Sequence, residues 1–200
     1  MSFRKEKKYC LSPSEQFYIK DFFITQGMTE LYPSRKVISC YMDNDNMDMF
    51  MDSEEGVLPR KKVRYRWYDD GNSYSKEIKI SSIEGRFKTN KLIMDIDPDQ
   101  ITKIRLFDHE YGNLCSKIIV SYTREYYAFQ NLRITLDTNI KYTLPYGALD
   151  LKIYDEETVM EVKVSQSVHD DYIENIIPYA TSRFSKYCRG VIALGFNINR

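Results

Sequence analysis

Alternating apolar and polar side chains recur along most of this sequence. Side chains of a β-strand point in turn to its two faces, so this alternation indicates strands that bury one face. Turn-forming residues separate several of these segments: Asp70-Gly71-Asn72 predicts one hairpin and Tyr111-Gly112-Asn113 predicts another. The predicted strands are residues 5–11, 35–42, 60–69, 74–81, 102–107, 116–127, 131–137, 147–154 and 158–165.

Helix signals are strongest near the N-terminus. Ser12 suits an N-cap, Pro13 suits the first helical position, and Glu15 completes a capping box. This helix is expected to run to about Gln26 and to stop at Gly27. Its three phenylalanines are available for packing: Phe17, Phe22 and Phe23.

A second helix is expected to begin near His169-Asp170-Asp171, because acidic side chains stabilise a helix N-terminus. Pro178 ends or kinks this helix, ahead of a short terminal segment from Ser185 to Leu194. Many strands with few helices predict one α+β domain over residues 1–200, built on a mostly antiparallel sheet.

Charged residues share one face of several predicted strands. In strand 60–69 the even positions are basic, whereas Val63, Tyr65 and Trp67 face the other way as core residues. The same rule places further polar pairs on single faces: Glu6 with Lys8, Glu77 with Lys79, Tyr122 with Arg124, Arg133 with Asp137, and Glu161 with Lys163. The basic residues of these faces are Lys8, Arg60, Lys62, Arg64, Arg66, Lys79, Arg124, Arg133 and Lys163.

An ordinary antiparallel sheet with one solvated polar face would explain the alternation alone. The excess of basic side chains argues against it, since like charges on neighbouring strands repel unless something neutralises them. A sheet closed into a tunnel-like barrel would enclose these faces around a lumen. Such a lumen suits a linear polyphosphate or triphosphate, and its acidic side chains suit a hard cation such as Mg²⁺ or Mn²⁺.

The overall charge of the chain does not indicate a further class of binding partner. The 200 residues include 29 basic and 29 acidic side chains, so no net field attracts nucleic acid or a membrane surface. The sequence shows no signal-peptide pattern and no apolar run long enough to span a membrane, which predicts a cytoplasmic protein. The two histidines argue against a catalytic triad, and the scattered cysteines are expected to be reduced thiols: Cys10, Cys40, Cys115 and Cys188.

Eight short segments carry the charged residues in a characteristic order. They are Glu6-Lys7-Lys8-Tyr9, Ser39-Cys40-Tyr41-Met42-Asp43, Arg60-Lys61-Lys62-Val63-Arg64-Tyr65-Arg66, Glu77-Ile78-Lys79, Tyr122-Thr123-Arg124, Arg133-Ile134-Thr135-Leu136-Asp137-Thr138, Glu161-Val162-Lys163 and Ser185-Lys186-Tyr187. In this order, over nearly the whole chain, they resemble the VTC domain of polyphosphate polymerases, within the CYTH-like superfamily of triphosphate tunnel metalloenzymes. The chain resembles the compact stand-alone bacterial form, since it shows neither the phosphate-sensing domain nor the membrane helices of eukaryotic members.

The resemblance implies a set of site residues. Glu161 is the implied ligand of Mn²⁺ or Mg²⁺, and Glu6 is a second candidate. The Glu-x-Glu-x-Lys motif of CYTH hydrolases is reduced here to Glu6-x-Lys8, which leaves fewer carboxylates for metals and favours transfer over hydrolysis. Tyr122 is the implied accessory hydroxyl, and Lys163 pairs with Glu161 or with phosphate. The remaining candidate phosphate ligands are Lys8, Lys62, Arg64, Arg66, Lys79, Arg124, Arg133, Lys186 and either Lys88 or Lys91.

The implied activity is transfer of the ATP γ-phosphate to a growing polyphosphate chain. The attacking phosphate oxygen is already anionic, so this reaction requires no general base. A CYTH-type triphosphatase is an alternative, with Glu6, Glu77 or Asp137 as the carboxylate that accepts a proton from water. A non-catalytic polyphosphate-binding module is another, and a membrane-associated partner fits either role.

Three weaker patterns have plainer explanations. Asp43, Asp45, Asp48 and Asp52 lack the glycine and terminal glutamate of a calcium loop, so a solvated acidic loop is expected there. The basic residues around Lys5 are too few to predict nucleic-acid binding by a neutral chain. Three aromatic residues suit either core packing or contact with an adenine ring: Tyr126, Tyr127 and Phe129.

Overall fold

The computed structural model describes residues 4–69, 73–94, 98–146, 151–165 and 169–196. The strands are β1 (Arg4–Leu11), β2 (Thr29–Asp43), β3 (Arg60–Tyr68), β4 (Ser73–Ser82), β5 (Gly85–Met94), β6 (Arg105–Asp108), β7 (Gly112–Phe129), β8 (Leu132–Thr143), β9 (Lys152–Tyr154) and β10 (Thr158–Ser165). The helices are α1 (Pro13–Thr25), α2 (Asp48–Glu55), α3 (Pro98–Ile101), α4 (Asp170–Ile176) and α5 (Lys186–Ala193).

The strands follow the order β1-β10-β8-β7-β2-β3-β4-β5, with β6 beside β7 and β9 beside β8. Antiparallel pairing joins β1–β10, β10–β8, β2–β3, β3–β4, β4–β5, β6–β7 and β8–β9. The predicted α+β class with a mostly antiparallel sheet is therefore confirmed.

The chain forms two compact units. The first consists of Met1–Arg35, Tyr122–Ile140 and Asp155–Phe184, and the second of Lys36–Ser121, Lys141–Tyr154 and Ser185–Arg200. Because each unit is assembled from distant chain segments, neither could be recognised from a boundary in the sequence. The single domain over residues 1–200 stays a prediction.

The core of the first unit lies between the apolar face of β1, β8 and β10 and the helices α1 and α4. Tyr9, Leu136 and Met160 represent the strands in this core, and Phe23 and Ile173 represent the helices. All five side chains are buried. Their parity leaves Lys8, Asp137 and Glu161 on the opposite face of the sheet, as the sequence pattern predicts.

The core of the second unit uses the odd positions of β3. Val63, Tyr65 and Trp67 pack with Cys40 and Ile101, among other side chains. This confirms the prediction that the two aromatic residues lie in the core. The even positions of β3, which carry the arginines, therefore share the opposite face.

Helix α1 confirms its predicted capping box but not all of its predicted packing. The Ser12 side chain accepts a hydrogen bond from the Glu15 N–H, and the Glu15 carboxylate accepts one from the Ser12 N–H. Phe23 is buried, whereas Phe17 and Phe22 are exposed. The correction follows from helical geometry, because only one side of this helix faces the sheet.

Several element boundaries differ from the predictions. Strand β6 begins at Arg105, because residues 98–101 form helix α3. The edge strand β5 and helix α2 were not predicted, and β2 and β8 are longer than expected. Residues 70–72 of the predicted hairpin and residues 147–150 of a predicted strand lie outside the described residues, although β3 and β4 do pair as that hairpin requires.

Two further expectations can be compared with the described part of the chain. All four cysteines are free thiols, as predicted. Among the helices that the structure describes, none combines the length and apolar character needed to cross a bilayer.

Candidate functional site

A row of lysines crosses three neighbouring strands of the second unit. Lys62 on β3 lies opposite Lys79 on β4, and Lys79 lies opposite Lys88 on β5. Like charges directly opposite each other destabilise a sheet unless another group neutralises them. The face that carries this row is therefore suited to an anionic ligand.

Glu77 is the buried acid beside this row. Arg64 Nε donates to Glu77 Oε2 at 2.7 Å, and Lys88 Nζ donates to Glu77 Oε1 at 2.7 Å. Arg66 Nη1 lies 3.9 Å from Glu77 Oε2. Burial alone would raise the pKa of Glu77, but the charges of Arg64, Arg66 and Lys88 hold that pKa at about 2.

Strand β2 supplies neutral partners for the two arginines. Arg64 Nη1 donates to the Tyr41 hydroxyl at 2.8 Å, and Arg66 Nε donates to Ser39 Oγ at 3.1 Å. Burial would raise the pKa of Tyr41, yet the neighbouring charges of Arg64 and Arg66 bring that pKa below its ordinary value. Both guanidinium groups are thus held in place before any ligand binds, which lowers the entropy cost of binding.

Helix α5 brings one more predicted residue into the second unit. Lys62 Nζ donates to the hydroxyl oxygen of Ser185 at 2.9 Å, and Ser185 is the N-cap of this helix. Lys186 is the first helical residue. The sequence motif Ser185-Lys186-Tyr187 is therefore fixed to β3 by a direct hydrogen bond.

Tyr187 links helix α5 to strand β2 through Asp43, a residue that was predicted to lie in a solvated loop. Its ring stacks on Tyr41 with centroids 5.1 Å apart, and its hydroxyl donates to Asp43 Oδ2 at 2.5 Å. Asp43 also accepts the backbone N–H groups of Met49 and Phe50. The expected solvated acidic loop is wrong here, because Asp43 is fully buried and caps helix α2.

The register of β4 and β5 places Lys88 and Lys91 on opposite faces of the sheet. Lys88 lies opposite Lys79, on the face that carries the arginines. Lys91 lies opposite Lys76, which points to the other face. The structure therefore places Lys88, and not Lys91, with the other predicted phosphate ligands of this unit.

The candidate residues of the first unit form two rows across β1, β10 and β8. The rows are Lys8–Glu161–Thr135 and Glu6–Lys163–Arg133. Both rows mix acidic with basic side chains, unlike the lysine row of the second unit. This mixture suits a site that binds both a cation and an anion.

Glu161 is surrounded by cations. Its carboxylate forms an ion pair with Lys163, whose Nζ also lies 3.8 Å from Glu6 Oε2. Lys8 Nζ lies 3.7 Å from Glu6 Oε1 and donates to the Phe184 carbonyl at 3.1 Å. Burial would raise the pKa of Glu161, but the charges of Lys163, and then of Arg124 and Lys8, bring that pKa well below its ordinary value.

The two glutamates match the donor chemistry of the predicted Mn²⁺ or Mg²⁺. Glu6 and Glu161 offer hard carboxylate oxygens from adjacent strands, on either side of Lys163. No group of three or more His, Cys, Asp or Glu side chains suited to a metal ion occurs among the described residues. These donors therefore fit a cation that takes one or two carboxylates and completes its shell with water and phosphate oxygens.

Arg124 is held by the carboxylate of Asp137, a residue predicted to share a charged face and considered as a general base. Its Nε and Nη2 donate to the two oxygens of Asp137 at 2.5 and 2.6 Å. Asp137 is fully buried, and the Tyr122 ring lies 5.2 Å from the guanidinium carbon. Arg124 and Tyr122 are thus side by side, as predicted, and Asp137 orients the arginine.

Arg133 and Thr135 are adjacent on this face and carry unsatisfied polar atoms. Arg133 Nε and Thr135 Oγ1 are buried without a hydrogen-bond partner among the described residues. The Arg133 guanidinium lies 6.0 Å from the Tyr126 ring centroid. Tyr127 and Phe129 belong to the apolar core, so of the three aromatic residues considered for adenine only Tyr126 accompanies a predicted ligand.

Sequence reasoning did not identify the residues that hold the arginines. Ser39 and Tyr41 stand in one of the eight segments of the resemblance, but their contacts with Arg66 and Arg64 depend on the register of β2 against β3. Glu77 and Asp137 were predicted as acids on the basic faces and as candidate general bases, not as partners of particular arginines. The signal that was available was their parity, which places each acid on the same face as an arginine.

Comparison with known proteins gives the same fold and a family. HpAC1 from Hippeastrum, provisionally an adenylyl cyclase and described as having a dominant triphosphatase activity, aligns with a TM-score of 0.57 and 16% identity over 94% of this chain and 95% of that chain. A provisional adenylate cyclase from Bacillus halodurans aligns with a TM-score of 0.60 and 12% identity over 92% and 94%. A conserved hypothetical protein from Pyrococcus furiosus aligns with a TM-score of 0.58 and 10% identity over 93% and 99%.

No curated protein matches the chain. At such low identities the solved structures share the fold alone with this protein. The sequence match is more specific, because the model of the VTC domain matches residues 3–195. That range includes the candidate residues of both units, from Glu6 to Lys186. The chain belongs to the VTC domain family.

Proposed function

We propose that this protein is a metal-dependent polyphosphate polymerase that transfers the γ-phosphate of ATP to a growing polyphosphate chain. The observation that carries the proposal is the lysine row Lys62–Lys79–Lys88, beside two arginines that are already held in place. These five basic side chains share the face with the Glu77 carboxylate, so positive charge is in excess among them and the charges of a phosphate chain are favourable there. A linear polyanion satisfies it better than a single phosphate group.

The basic side chains of both units act by binding and neutralising phosphate oxygens. In the transfer, a terminal oxygen of the polyphosphate forms a bond to the γ-phosphorus, and the bond from that phosphorus to the β–γ bridging oxygen breaks, which releases ADP. The attacking oxygen carries no proton that must be removed, so no base is needed. Arginine and lysine side chains stabilise the charge that develops on the transferred group and on the leaving oxygen.

Glu161 and Glu6 would hold Mn²⁺ or Mg²⁺ together with phosphate oxygens. The cation would supply further neutralisation of phosphate charge when bound. Lys163 forms an ion pair with each of the two glutamates and so holds their carboxylates close together. Two of the carboxylates considered as general bases for hydrolysis are already bound to arginines, since Glu77 pairs with Arg64 and Asp137 pairs with Arg124. This engagement favours transfer over hydrolysis.

The experiment is an assay of both products. Purified protein is incubated with ATP and Mn²⁺, and inorganic phosphate and polyphosphate are measured in parallel. Polyphosphate with little free phosphate is expected, and Glu161→Gln should abolish it. Lys91→Ala is the control, since it removes a lysine from the opposite face of β5.

Other outcomes assign the alternatives. Free phosphate without polymer would make the protein a triphosphatase, the activity described for HpAC1. Tripolyphosphate binding without either product would make it a non-catalytic polyphosphate-binding module. Both results would contradict the polymerase.

A further inference from the structure

A groove in the first unit runs from two predicted phosphate ligands to an exposed aromatic ring. Its volume is about 480 Å³, within the range of small-molecule sites. Arg133 and Lys163 line it, and so do Tyr32, Gln130 and Asn131. The charged pair and the aromatic ring are therefore parts of one concave surface.

The aromatic wall of the groove is both fixed and accessible. Tyr32 packs edge-to-face on Tyr126, with ring centroids 5.8 Å apart and an angle of 83° between the rings. Tyr126 is buried, whereas Tyr32 is 51% exposed. A ring that packs against a neighbouring ring and is half exposed can stack on a flat aromatic ligand at little entropic cost.

The charged wall lacks a partner for one of its polar atoms. Arg133 Nε is buried without a hydrogen-bond partner among the described residues. A buried N–H group without a partner is destabilising, and an anion held in the groove would place compensating negative charge beside this guanidinium. Lys163 faces the same groove and contacts Glu161 and Glu6. This end of the groove thus adjoins the candidate metal ligands.

Two amide side chains also line the groove. Gln130 and Asn131 form the turn between β7 and β8. The Tyr172 hydroxyl donates to Gln130 Oε1 at 2.8 Å, which orients the Gln130 amide. Amide groups offer donors and acceptors together, as needed to pair with the edge of a nucleobase or with ribose hydroxyls.

We propose that this groove binds the nucleoside of the phosphate donor, with its base stacked on Tyr32 and its phosphates directed to Arg133 and Lys163. The inference rests on the proposed function and adds how the donor is distinguished from inorganic polyphosphate. A nucleotide uses both walls of the groove. A bare phosphate chain uses only the charged wall.

Two ligands distinguish what the aromatic wall and the charged wall of the groove each contribute to binding. Binding of AMP-PNP, an ATP analogue with a non-transferable γ-phosphate, and of tripolyphosphate is measured by calorimetry with Mn²⁺ present. Tyr32→Ala should weaken AMP-PNP binding about tenfold, since stacking of one base contributes roughly that factor, and should leave tripolyphosphate binding within twofold. Tyr32→Phe should restore the affinity, because it keeps the ring. Tyr18→Ala is the matched control, since Tyr18 is an exposed tyrosine of α1 that does not line the groove.

The outcomes distinguish this inference from the proposed function. Unchanged AMP-PNP affinity in Tyr32→Ala, with tripolyphosphate still bound, would overturn the nucleoside site and leave phosphate binding intact. An equal loss of both ligands would also overturn it, because the tyrosine would then act on the fold or on phosphate. If the unaltered protein bound neither ligand, the proposed function would fail together with this inference.

Discussion

Glu77 shows how one buried carboxylate controls a cluster of cations. Its side chain is 4% exposed and contacts Arg64, Arg66 and Lys88. Removing its charge leaves these cations close together without compensation. Breaking a buried ion pair in this way is more costly than losing an exposed pair, because the remaining charges stay desolvated.

Glu77→Gln is expected to lower the free energy of unfolding by about 3 kcal/mol. Urea unfolding measures this change. Glu110→Gln is the matched control, since Glu110 pairs with Lys61 but is 61% exposed, and its loss should cost less than about 1 kcal/mol. Equal costs for the two substitutions would contradict the role given to Glu77.

Acid should weaken the protein partly through this same residue. The folded-state pKa of Glu77 is about 2, below its ordinary value of 4.5, so its ionised form stabilises the fold at neutral pH. That contribution is present above about pH 5 and is lost as the pH falls towards about 2. Unfolding measured across this window should show a steeper loss of stability in the unaltered protein than in Glu77→Gln. Identical slopes would exclude Glu77 as a source of the acid sensitivity.

At the scale of elements, Asp43 joins a strand to two helices. Its carboxylate lies at the end of β2, caps α2 and accepts the hydroxyl of Tyr187 from α5. Burial raises the pKa of Asp43, whereas its hydrogen bonds lower it. A buried carboxylate with these donors depends on all of them, so loss of the tyrosine hydroxyl affects the position of α5.

Two tyrosine-to-phenylalanine substitutions test this assignment with the same chemical change. Tyr187→Phe should destabilise the protein by about 1–3 kcal/mol, because Asp43 loses a donor. Tyr9→Phe should be neutral or stabilising, since the buried Tyr9 hydroxyl has no hydrogen-bond partner among the described residues. Thermal or urea unfolding compares them. A cost for Tyr9→Phe equal to that for Tyr187→Phe would contradict the account.

Some elements could be predicted from sequence and others could not, for physical reasons. The capping box of Ser12 and Glu15 is a local signal for the start of α1. The alternation of apolar and charged residues in β3 follows from the burial of one face of that strand. Helix α2 lacks such a signal, because its cap, Asp43, comes from a strand several residues earlier. Edge strand β5 also lacks a sequence signal. Its residues Thr89, Asn90, Lys91 and Leu92 are all exposed, so apolar and polar positions do not alternate there.

The same limit applies to the site. Parity placed Arg64 and Arg66 on one face and Glu161 with Lys163 on another, and the structure has them there. Parity cannot show which acid holds which arginine, since Arg64–Glu77 and Arg124–Asp137 are set by the register between strands. The groove beside Tyr32 depends on tertiary packing and had no sequence signal.

At the scale of the whole molecule, the net charge is neutral although one face of the second unit carries a row of lysines. Basic and acidic residues number 29 each, yet the lysine row of β3, β4 and β5 is of one sign. Binding of a polyanion is therefore expected to depend on particular positions and not on overall charge. Two lysines of β5 allow a direct comparison.

Lys88→Ala is expected to weaken tripolyphosphate binding about tenfold, because it removes a charge-assisted hydrogen bond from the face of the arginines. Lys91→Ala removes the same charge from the opposite face and should change the affinity by less than about twofold. Calorimetry at two salt concentrations measures both. Equal effects of the two substitutions would show that general charge, and not this face, attracts the ligand.

Synthesis of polyphosphate from ATP is the activity proposed for this VTC domain. The most direct measurement follows ATP labelled at the γ-phosphate, with Mn²⁺ and the unaltered protein, and resolves the products by length. Label is expected in phosphate chains that lengthen with time, alongside formation of ADP. Label found only in inorganic phosphate, or left entirely in ATP, would contradict it.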